Sequence, residues 1–113
     1  MKEITAIFRS EKLDEIKEAL AHVDIKGITV IEVKGRGEQL GISEKYRGST
    51  YKIDLIPKTM IMTVVHDESV DKTVEAICKT AHTGNIGDGK IFIKNVEEVI
   101  RIRTNERGDT ALD

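Results

Sequence analysis

The sequence is poor in the residue types that mark several specialised classes of small protein. It contains one cysteine, one proline and no tryptophan, and aromatic residues make up only 4% of its 113 residues. A lone cysteine cannot form an internal disulfide, so the chain is not a disulfide-stabilised domain. Because Cys78 falls on an apolar helical stripe, we predict that it is a small buried hydrophobic residue. With so few aromatic side chains, Ile, Val and Leu must fill the core.

Long apolar runs and an excess of positive charge are also missing. No apolar segment approaches the length of a bilayer span, and the first residues, MKEITAIFRSEK, contain no apolar signal core. We therefore expect a cytoplasmic protein. A net charge of −2 argues against a general nucleic-acid binder, and no aromatic-basic RNA motif is present. The balance of 39% apolar and 34% charged residues is typical of one soluble globular domain, here residues 1–113.

Hydrophobic periodicity predicts an α+β fold with five strands and two helices. The predicted strands cover residues 3–9, 27–33, 58–66, 90–94 and 99–104, and the helices cover 11–22 and a segment from about 67 to 81. The order β-α-β, excursion, β-α-β is that of a ferredoxin-like sheet with both helices on one face, here with an extra C-terminal strand. Residues 105–113 lack periodicity and are predicted to be mobile.

The opposite face of this predicted sheet still carries apolar residues from several strands. A sheet that is apolar on both faces needs a second cover. Another copy of the same chain is the simplest cover, so the pattern predicts a homo-oligomer.

The connection 34–57 is far longer than a hairpin requires. It holds four of the nine glycines, both tyrosines and the only proline. Loops of this length are usually functional or disordered. The aromatic and basic residues Tyr46, Arg47 and Tyr51 suit a contact surface. The alternative is a disordered linker between two domains.

Residues 83–90, TGNIGDGK, contain the glycine spacing of a phosphate-binding P-loop. The next residue is Ile91 rather than Ser or Thr, and the loop connects a helix to a strand in the reverse of the P-loop order, so we reject a P-loop enzyme. Gly87 and Gly89 still allow backbone N–H groups to face an anion, and Lys90 supplies positive charge. The alternative is a plain helix-to-strand turn with a glycine cap.

Two arginines extend this candidate anion site. Arg101 and Arg103 are two positions apart on a predicted strand, which places both side chains on one face. Guanidinium groups bind phosphate oxygens in pairs, so the two arginines and Lys90 are candidates for a phosphate clamp. The alternative is that they pair with Glu97, Glu98 or other acidic residues.

The histidines do not have the spacing of a metal site. His22, His66 and His82 all fall at the ends of predicted elements, where we expect them to be solvated.

Two stretches resemble the signatures of the PII nitrogen-signalling family, the GlnB/GlnK family. Residues 46–51, YRGSTY, resemble the Y-R-G-x-x-Y motif of that family's long T-loop, and residues 83–93, TGNIGDGKIFI, resemble its second signature. Residues 32–35, EVKG, and 99–104, VIRIRT, also match. The similarity runs from residue 1 to residue 104 and is strongest to the GlnK branch.

The resemblance implies a homotrimer that binds ATP or ADP in each cleft between neighbouring subunits. The residues that it assigns to the nucleotide are Thr29, Gly35, Gly37, Val64, Gly87, Asp88, Gly89, Lys90, Arg101 and Arg103. It assigns Gln39 to Mg²⁺ and 2-oxoglutarate, and Lys58 to the far carboxylate of 2-oxoglutarate. The T-loop would cover about residues 37–55.

The resemblance also implies partners. Tyr46, Arg47 and Tyr51 would contact an ammonium transporter or nitrogen-assimilation enzymes, and a transporter would bring the cytoplasmic protein to the membrane surface. Residues 37–51 would be mobile in the free protein, and Tyr51 matches a tyrosine that some members carry as a uridylylation site. Two other functions stay open: a small nucleotide-using enzyme with Asp88 or Glu38 as general base, and a structural oligomer that binds a partner without any ligand.

Overall fold

The structure, a computed structural model, describes residues 1–37, 42–46, 49–53 and 55–113, and of residues 42–46 and 49–53 it describes the backbone. The strands are β1 (Lys2–Phe8), β2 (Thr29–Gly35), β3 (Ile42–Tyr46), β4 (Ser49–Ile53), β5 (Ile56–Val65) and β6 (Gly89–Asn95). The helices are α1 (Leu13–His22), α2 (Val70–Ala81) and α3 (Asp109–Leu112). Single 3-10 turns at Ser10–Lys12 and Asp67–Ser69 lead into α1 and α2.

The main sheet has four strands in the order β2-β5-β1-β6, and each neighbouring pair is antiparallel. β1 lies in the middle and pairs with β5 on one side and β6 on the other, so that Ile4 faces Thr63 and Ile93. This arrangement confirms the predicted ferredoxin-like α+β fold.

The core lies between this sheet and the two long helices. Alternate residues of β1, namely Ile4, Ala6 and Phe8, are at most 1% exposed, as expected for a strand with one face against helices. The helices contribute residues four apart, such as Ile16 and Leu20 in α1, which lie on one side of a 3.6-residue repeat. Burial of each large aliphatic side chain contributes roughly 1.5–3 kcal/mol of hydrophobic stabilisation.

The other face of the sheet is uncovered in the single chain and largely apolar. Ile31 in β2 pairs with Met60 in β5 and is 42% exposed. On β6, Phe92 pairs with Thr5 and is 46% exposed. The predicted second apolar face is therefore present, and we call it the open sheet face.

The predicted strand over residues 99–104 is wrong. Among the described residues this segment forms one isolated bridge, between Ile100 and Arg107, and then a turn. The Arg101 N–H donates to the Glu106 carbonyl at 2.9 Å, and Asn105 adopts a φ of +64°. An alternating β-branched pattern becomes a strand only where a partner strand is available, and here the chain folds back on itself instead.

Residues 105–113 are more regular than their sequence suggests. α3 covers four of them, and the N–H groups of Ala111 and Leu112 donate to the Gly108 carbonyl. α3 forms although the segment has no periodicity that predicts a helix, and the mobility of the segment stays a prediction.

The long connection contains the β3–β4 pair, an antiparallel hairpin that forms a sheet of its own. Its register runs from Ile42 opposite Ile53 to Tyr46 opposite Ser49. The predicted mobility of residues 37–51 is not tested by this geometry. No helix among the described residues has both the length and the hydropathy needed to cross a bilayer.

Cys78 does not have its predicted environment. The buried side of α2 is formed by Thr73, Ile77 and Ala81, at intervals of four residues. Cys78 follows Ile77 and is therefore rotated by about 100° around the helix axis. Its side chain is exposed, so the prediction of a buried thiol is wrong.

Candidate functional site

The loop between α2 and β6 forms one wall of a cleft against the ends of β2 and β5. Three basic residues, Arg36, Lys58 and Lys90, line this cleft together with backbone from both sides. Its apolar lining comes from Ile7, Ile56, Ile86 and Phe92, and its glycines are Gly35, Gly37, Gly87 and Gly89. An anionic ligand with an apolar part would match this combination of charge and lining.

The loop requires glycine at its turning points. Gly84, Gly87 and Gly89 have φ values of +91°, +105° and +105°, which side chains rarely tolerate. Gly89 is also the residue that pairs with Phe8 at the start of β6. A Cβ atom there would lie 1.7 Å from the Ile7 carbonyl oxygen, so only glycine allows the two strands to approach.

Asp88 holds the loop in shape from the inside. Its carboxylate accepts hydrogen bonds from the Thr83 N–H at 2.8 Å, the Thr83 hydroxyl at 2.5 Å and the Gly84 N–H at 2.9 Å. The side-chain hydrogen bond from Thr83 is the largest cause that holds the pKa of Asp88 well below its usual range. Asp88 is therefore an ionised anchor of the loop.

Arg9 ties the same loop to the sheet. Its guanidinium donates to the Asp88 carboxylate at 3.2 Å and to the Ile86 carbonyl at 2.8 Å. Sequence reasoning missed this residue, although the pairing of Phe8 with Gly89 brings the end of β1 beside the loop. A carboxylate flanked by glycines in a tight loop needs a donor, and that was the available signal.

Lys58 joins β5 to the loop. Its ammonium donates to the Gly87 carbonyl at 2.6 Å. Burial is the first cause that lowers the pKa of Lys58, and the positive charge of Arg9 is the second. The carbonyl contact fixes Lys58 at the wall of the cleft.

The structure divides the residues that the family resemblance assigns to a nucleotide into two sets. Gly35, Gly37, Gly87, Asp88, Gly89 and Lys90 line the cleft, as does Lys58. Thr29, Val64, Arg101 and Arg103 do not line it. Thr29 pairs with Met62, and Val64 pairs with Glu3, so both belong to the open sheet face.

The two predicted clamp arginines do not form a pair on a strand. Arg101 donates to the Glu106 carboxylate at 2.9 Å and to the carbonyls of Thr110 and Ala111, while Arg103 is exposed. The alternative, that acidic residues pair with them, holds for Arg101 in the single chain, through Glu106 rather than Glu97 or Glu98. Within one chain the arginines are therefore not brought to Lys90.

Several predicted residues lie outside the described part of the chain. Gln39, Glu38 and Arg47 are among them, and the side chains of Tyr46 and Tyr51 are too, although their backbone belongs to β3 and β4. In the described residues no group of three or more His, Cys, Asp and Glu side chains could hold a metal ion.

The histidines differ from one another. His22 and His82 are exposed, as predicted. The prediction of a solvated side chain is wrong for His66. Its Nε2 atom lies 2.6 Å from the Asp113 carboxylate, and its side chain is only 28% exposed.

The comparison with known proteins gives one family. A family model described as "Nitrogen regulatory protein P-II" matches residues 1–106. The chain is 62% identical over 112 residues to nitrogen regulatory protein P-II 2 of Methanothermobacter thermautotrophicus, covering 99% of this chain and 97% of that protein. It is 56% identical to nitrogen regulatory protein P-II of Azospirillum brasilense, covering 99% and 100%.

Proposed function

Because the chain belongs to the nitrogen regulatory protein P-II family, we propose that it senses ATP or ADP together with 2-oxoglutarate and relays that state to partner proteins. Membership in this family of regulators makes the chain a nitrogen regulatory protein and not an enzyme. The observation that carries the proposed ligands is the cleft, in which a glycine loop with positive φ angles lies beside Lys58 and Lys90.

The nucleotide phosphates would bind to Lys90 and to N–H groups of the loop at Gly87 and Gly89. Backbone amides in a positive-φ turn form concave sites that favour anions. Gly35 and Gly37 on the opposite wall would let the backbone approach the nucleotide closely. Asp88 would act through the loop, since its carboxylate oxygens already accept hydrogen bonds from Thr83 and Gly84.

The remaining nucleotide residues would come from a neighbouring subunit of a homotrimer. Thr29 and Val64 belong to the open sheet face, which needs a cover. A second copy that covers this face would bring its own Thr29, Val64, Arg101 and Arg103 towards the cleft. The apolar character of the open sheet face supports this assembly.

We propose that 2-oxoglutarate binds beside the nucleotide. Lys58 would face its far carboxylate, and Mg²⁺ would be held by Gln39, the nucleotide phosphates and the effector. Hard cations prefer oxygen ligands, and a single neutral amide is a weak site alone, so effector binding would depend on the nucleotide.

The long connection would deliver the signal. Tyr46, Arg47 and Tyr51 would dock on a partner, most simply an ammonium transporter at the cytoplasmic membrane surface, as the GlnK resemblance implies, or on nitrogen-assimilation enzymes. Tyr51 would be a site of modification. A ligand that favours one conformation of the connection must disfavour partners that need another.

An enzymatic alternative would require a general base near the phosphates. Among the described residues Asp88 is the candidate, but its lowered pKa and its contacts with Thr83, Gly84 and Arg9 make it a poor proton acceptor. Absence of steady-state ATP hydrolysis is therefore the expected result.

Calorimetric titration with ATP, with and without 2-oxoglutarate, tests the sensor. Lys90→Ala should weaken ATP binding by about tenfold or more, the loss expected for one charged phosphate partner. Lys94→Ala is the matched control, because Lys94 is on the same strand and the same sheet face but pairs with Glu3 at 3.6 Å. Unchanged ATP affinity in Lys90→Ala would refute the phosphate site, and 2-oxoglutarate binding without nucleotide would refute the coupling.

A further inference from the structure

Residues 109–113 fold back onto the end of β5 through one histidine. The Nε2 atom of His66 lies 2.6 Å from the Asp113 Oδ1 atom, and its Nδ1 atom lies 3.8 Å from the Asp109 Oδ1 atom. Both ring nitrogens therefore face carboxylates. Only Nε2 is within hydrogen-bond distance, and the negative charge of the two carboxylates beside the ring favours the protonated imidazole.

The surroundings of His66 include other charged groups. Glu68 follows it in the 3-10 turn and adds negative charge, while Asp67 from the same turn is engaged by the Met1 amine. Lys72 from α2 lines the adjoining groove, as do Asp24 and Lys26 from the turn after α1. The two carboxylates of the 109–113 segment are the groups in direct contact with the ring.

The same segment lines a groove and contacts an arginine. Leu112 lines this groove together with Ile25 and Val64, so the segment has an apolar side chain next to its ionic contact. Arg101 donates to the carbonyls of Thr110 at 3.0 Å and Ala111 at 3.4 Å. Docking of the segment and placement of the Arg101 side chain are therefore linked.

We propose that His66 is a pH-dependent switch, whose protonated ring holds residues 109–113 at the end of β5 and whose neutral ring releases them. The contact is formed where His66 is charged, and it is lost on the alkaline side.

The direction follows from proton linkage. The hydrogen bond to Asp113 is the first cause that raises the pKa of His66 above its ordinary value. A group whose pKa is raised in the closed form stabilises that form below its ordinary value of about 6.5, and the stabilisation is lost as the pH rises through the raised value.

The switch would also affect nucleotide binding, a consequence that rests on the proposed function. If Arg101 binds phosphate, release of the segment above the pKa of His66 removes the Thr110 and Ala111 carbonyls from its guanidinium and leaves Glu106 as its remaining partner in the chain. The switch itself is measured without nucleotide, so failure of the ligand site and failure of the switch are separate results.

The test is an NMR titration of the full chain between about pH 5 and 9, spanning the ordinary histidine range. The ring signal of His66 and the amide shifts of Ala111 and Leu112 should move with one midpoint, above the ordinary histidine value. His66→Gln should abolish the amide titration while keeping a polar side chain of similar length. Asp113→Asn should lower the His66 midpoint and uncouple the amides from it.

Two variants serve as controls. His82→Gln removes an exposed histidine at the end of α2, and Asp14→Asn changes an aspartate that is 95% exposed on α1. Both should keep the wild-type titration of residues 109–113. The switch would be overturned if the amide shifts of Ala111 and Leu112 do not change with the His66 titration in wild type. It would also be overturned if their pH dependence is unchanged in His66→Gln or Asp113→Asn.

Discussion

Gly89 is the residue on which the loop and the sheet depend together. It has a φ of +105°, and a Cβ atom there would meet the Ile7 carbonyl oxygen at 1.7 Å. We expect Gly89→Ala to lower the free energy of unfolding by roughly 2–4 kcal/mol, because backbone strain and overpacking both contribute. Urea denaturation measures this loss. Gly27→Ala is the control, since nothing lies within 4 Å of the added Cβ atom, and equal stability of the two variants would contradict the close approach.

Asp88 gives the loop an acid-sensitive anchor. Because its pKa is held down by hydrogen bonds, first of all from Thr83, its contribution to stability is present above the ordinary carboxyl value of about 4 and declines as the pH falls below it. We expect Asp88→Asn to be less stable than wild type at pH 7 and to lose less stability on acidification. Denaturation midpoints at neutral and acid pH measure this difference. An identical acid dependence of the two proteins would contradict the anchor, and Asp14→Asn, with its exposed carboxylate, is the control.

At the scale of elements, two neighbouring residues of α2 show which side of the helix faces the core. Ile77 is 2% exposed, whereas the next residue, Cys78, is exposed. We expect Ile77→Ala to cost roughly 2–5 kcal/mol of unfolding free energy, because the removed methyl groups leave a cavity. Cys78→Ala should change stability by less than about 0.5 kcal/mol. Chemical denaturation of both variants measures the difference. A larger loss of unfolding free energy in Cys78→Ala than in Ile77→Ala would contradict this orientation of α2.

The same contrast shows where sequence reasoning succeeds and where it stops. The apolar stripe of α2 predicted the helix, because a 3.6-residue repeat is set by local geometry. It did not exclude Cys78, which is apolar enough to blur the edge of the stripe. Residues 99–104 have the alternation of a strand, but pairing depends on a partner that no local pattern specifies. Arg9 was missed because its contacts with Asp88 join residues 79 positions apart.

The candidate site also shows that local sequence patterns do not predict contacts between distant parts of the chain. The glycines and Lys90 are predicted to form an anion site from one contiguous loop, and the structure places Gly87, Gly89 and Lys90 around one cleft. Arg101 and Arg103 were assigned to the same site from their spacing and the family resemblance. In the single chain Arg101 is instead held by Glu106 and by the carbonyls of Thr110 and Ala111. If the site is shared between subunits, as proposed, one chain alone does not bring all of its residues together.

At the scale of the whole molecule, this division becomes a test of assembly. If the cleft is completed by a neighbour, Lys90→Ala and Arg101→Ala damage the same site from different subunits. Each variant alone should bind ATP weakly. Mixed trimers, co-expressed with two tags and purified through both, would contain about one intact cleft in three, because the cyclic arrangement joins one unaltered Lys90 to one unaltered Arg101.

Calorimetry of these mixed trimers should show a fraction of sites with wild-type affinity, which neither parent has. Lys90→Ala co-expressed with a differently tagged copy of itself is the control for tagging and purification, and it should show none. If the mixed trimers bind no better than their parents, Lys90 and Arg101 act within one chain or not on the nucleotide at all. The first of these readings would also require Arg101 to leave its contacts with Glu106 and the Thr110 carbonyl.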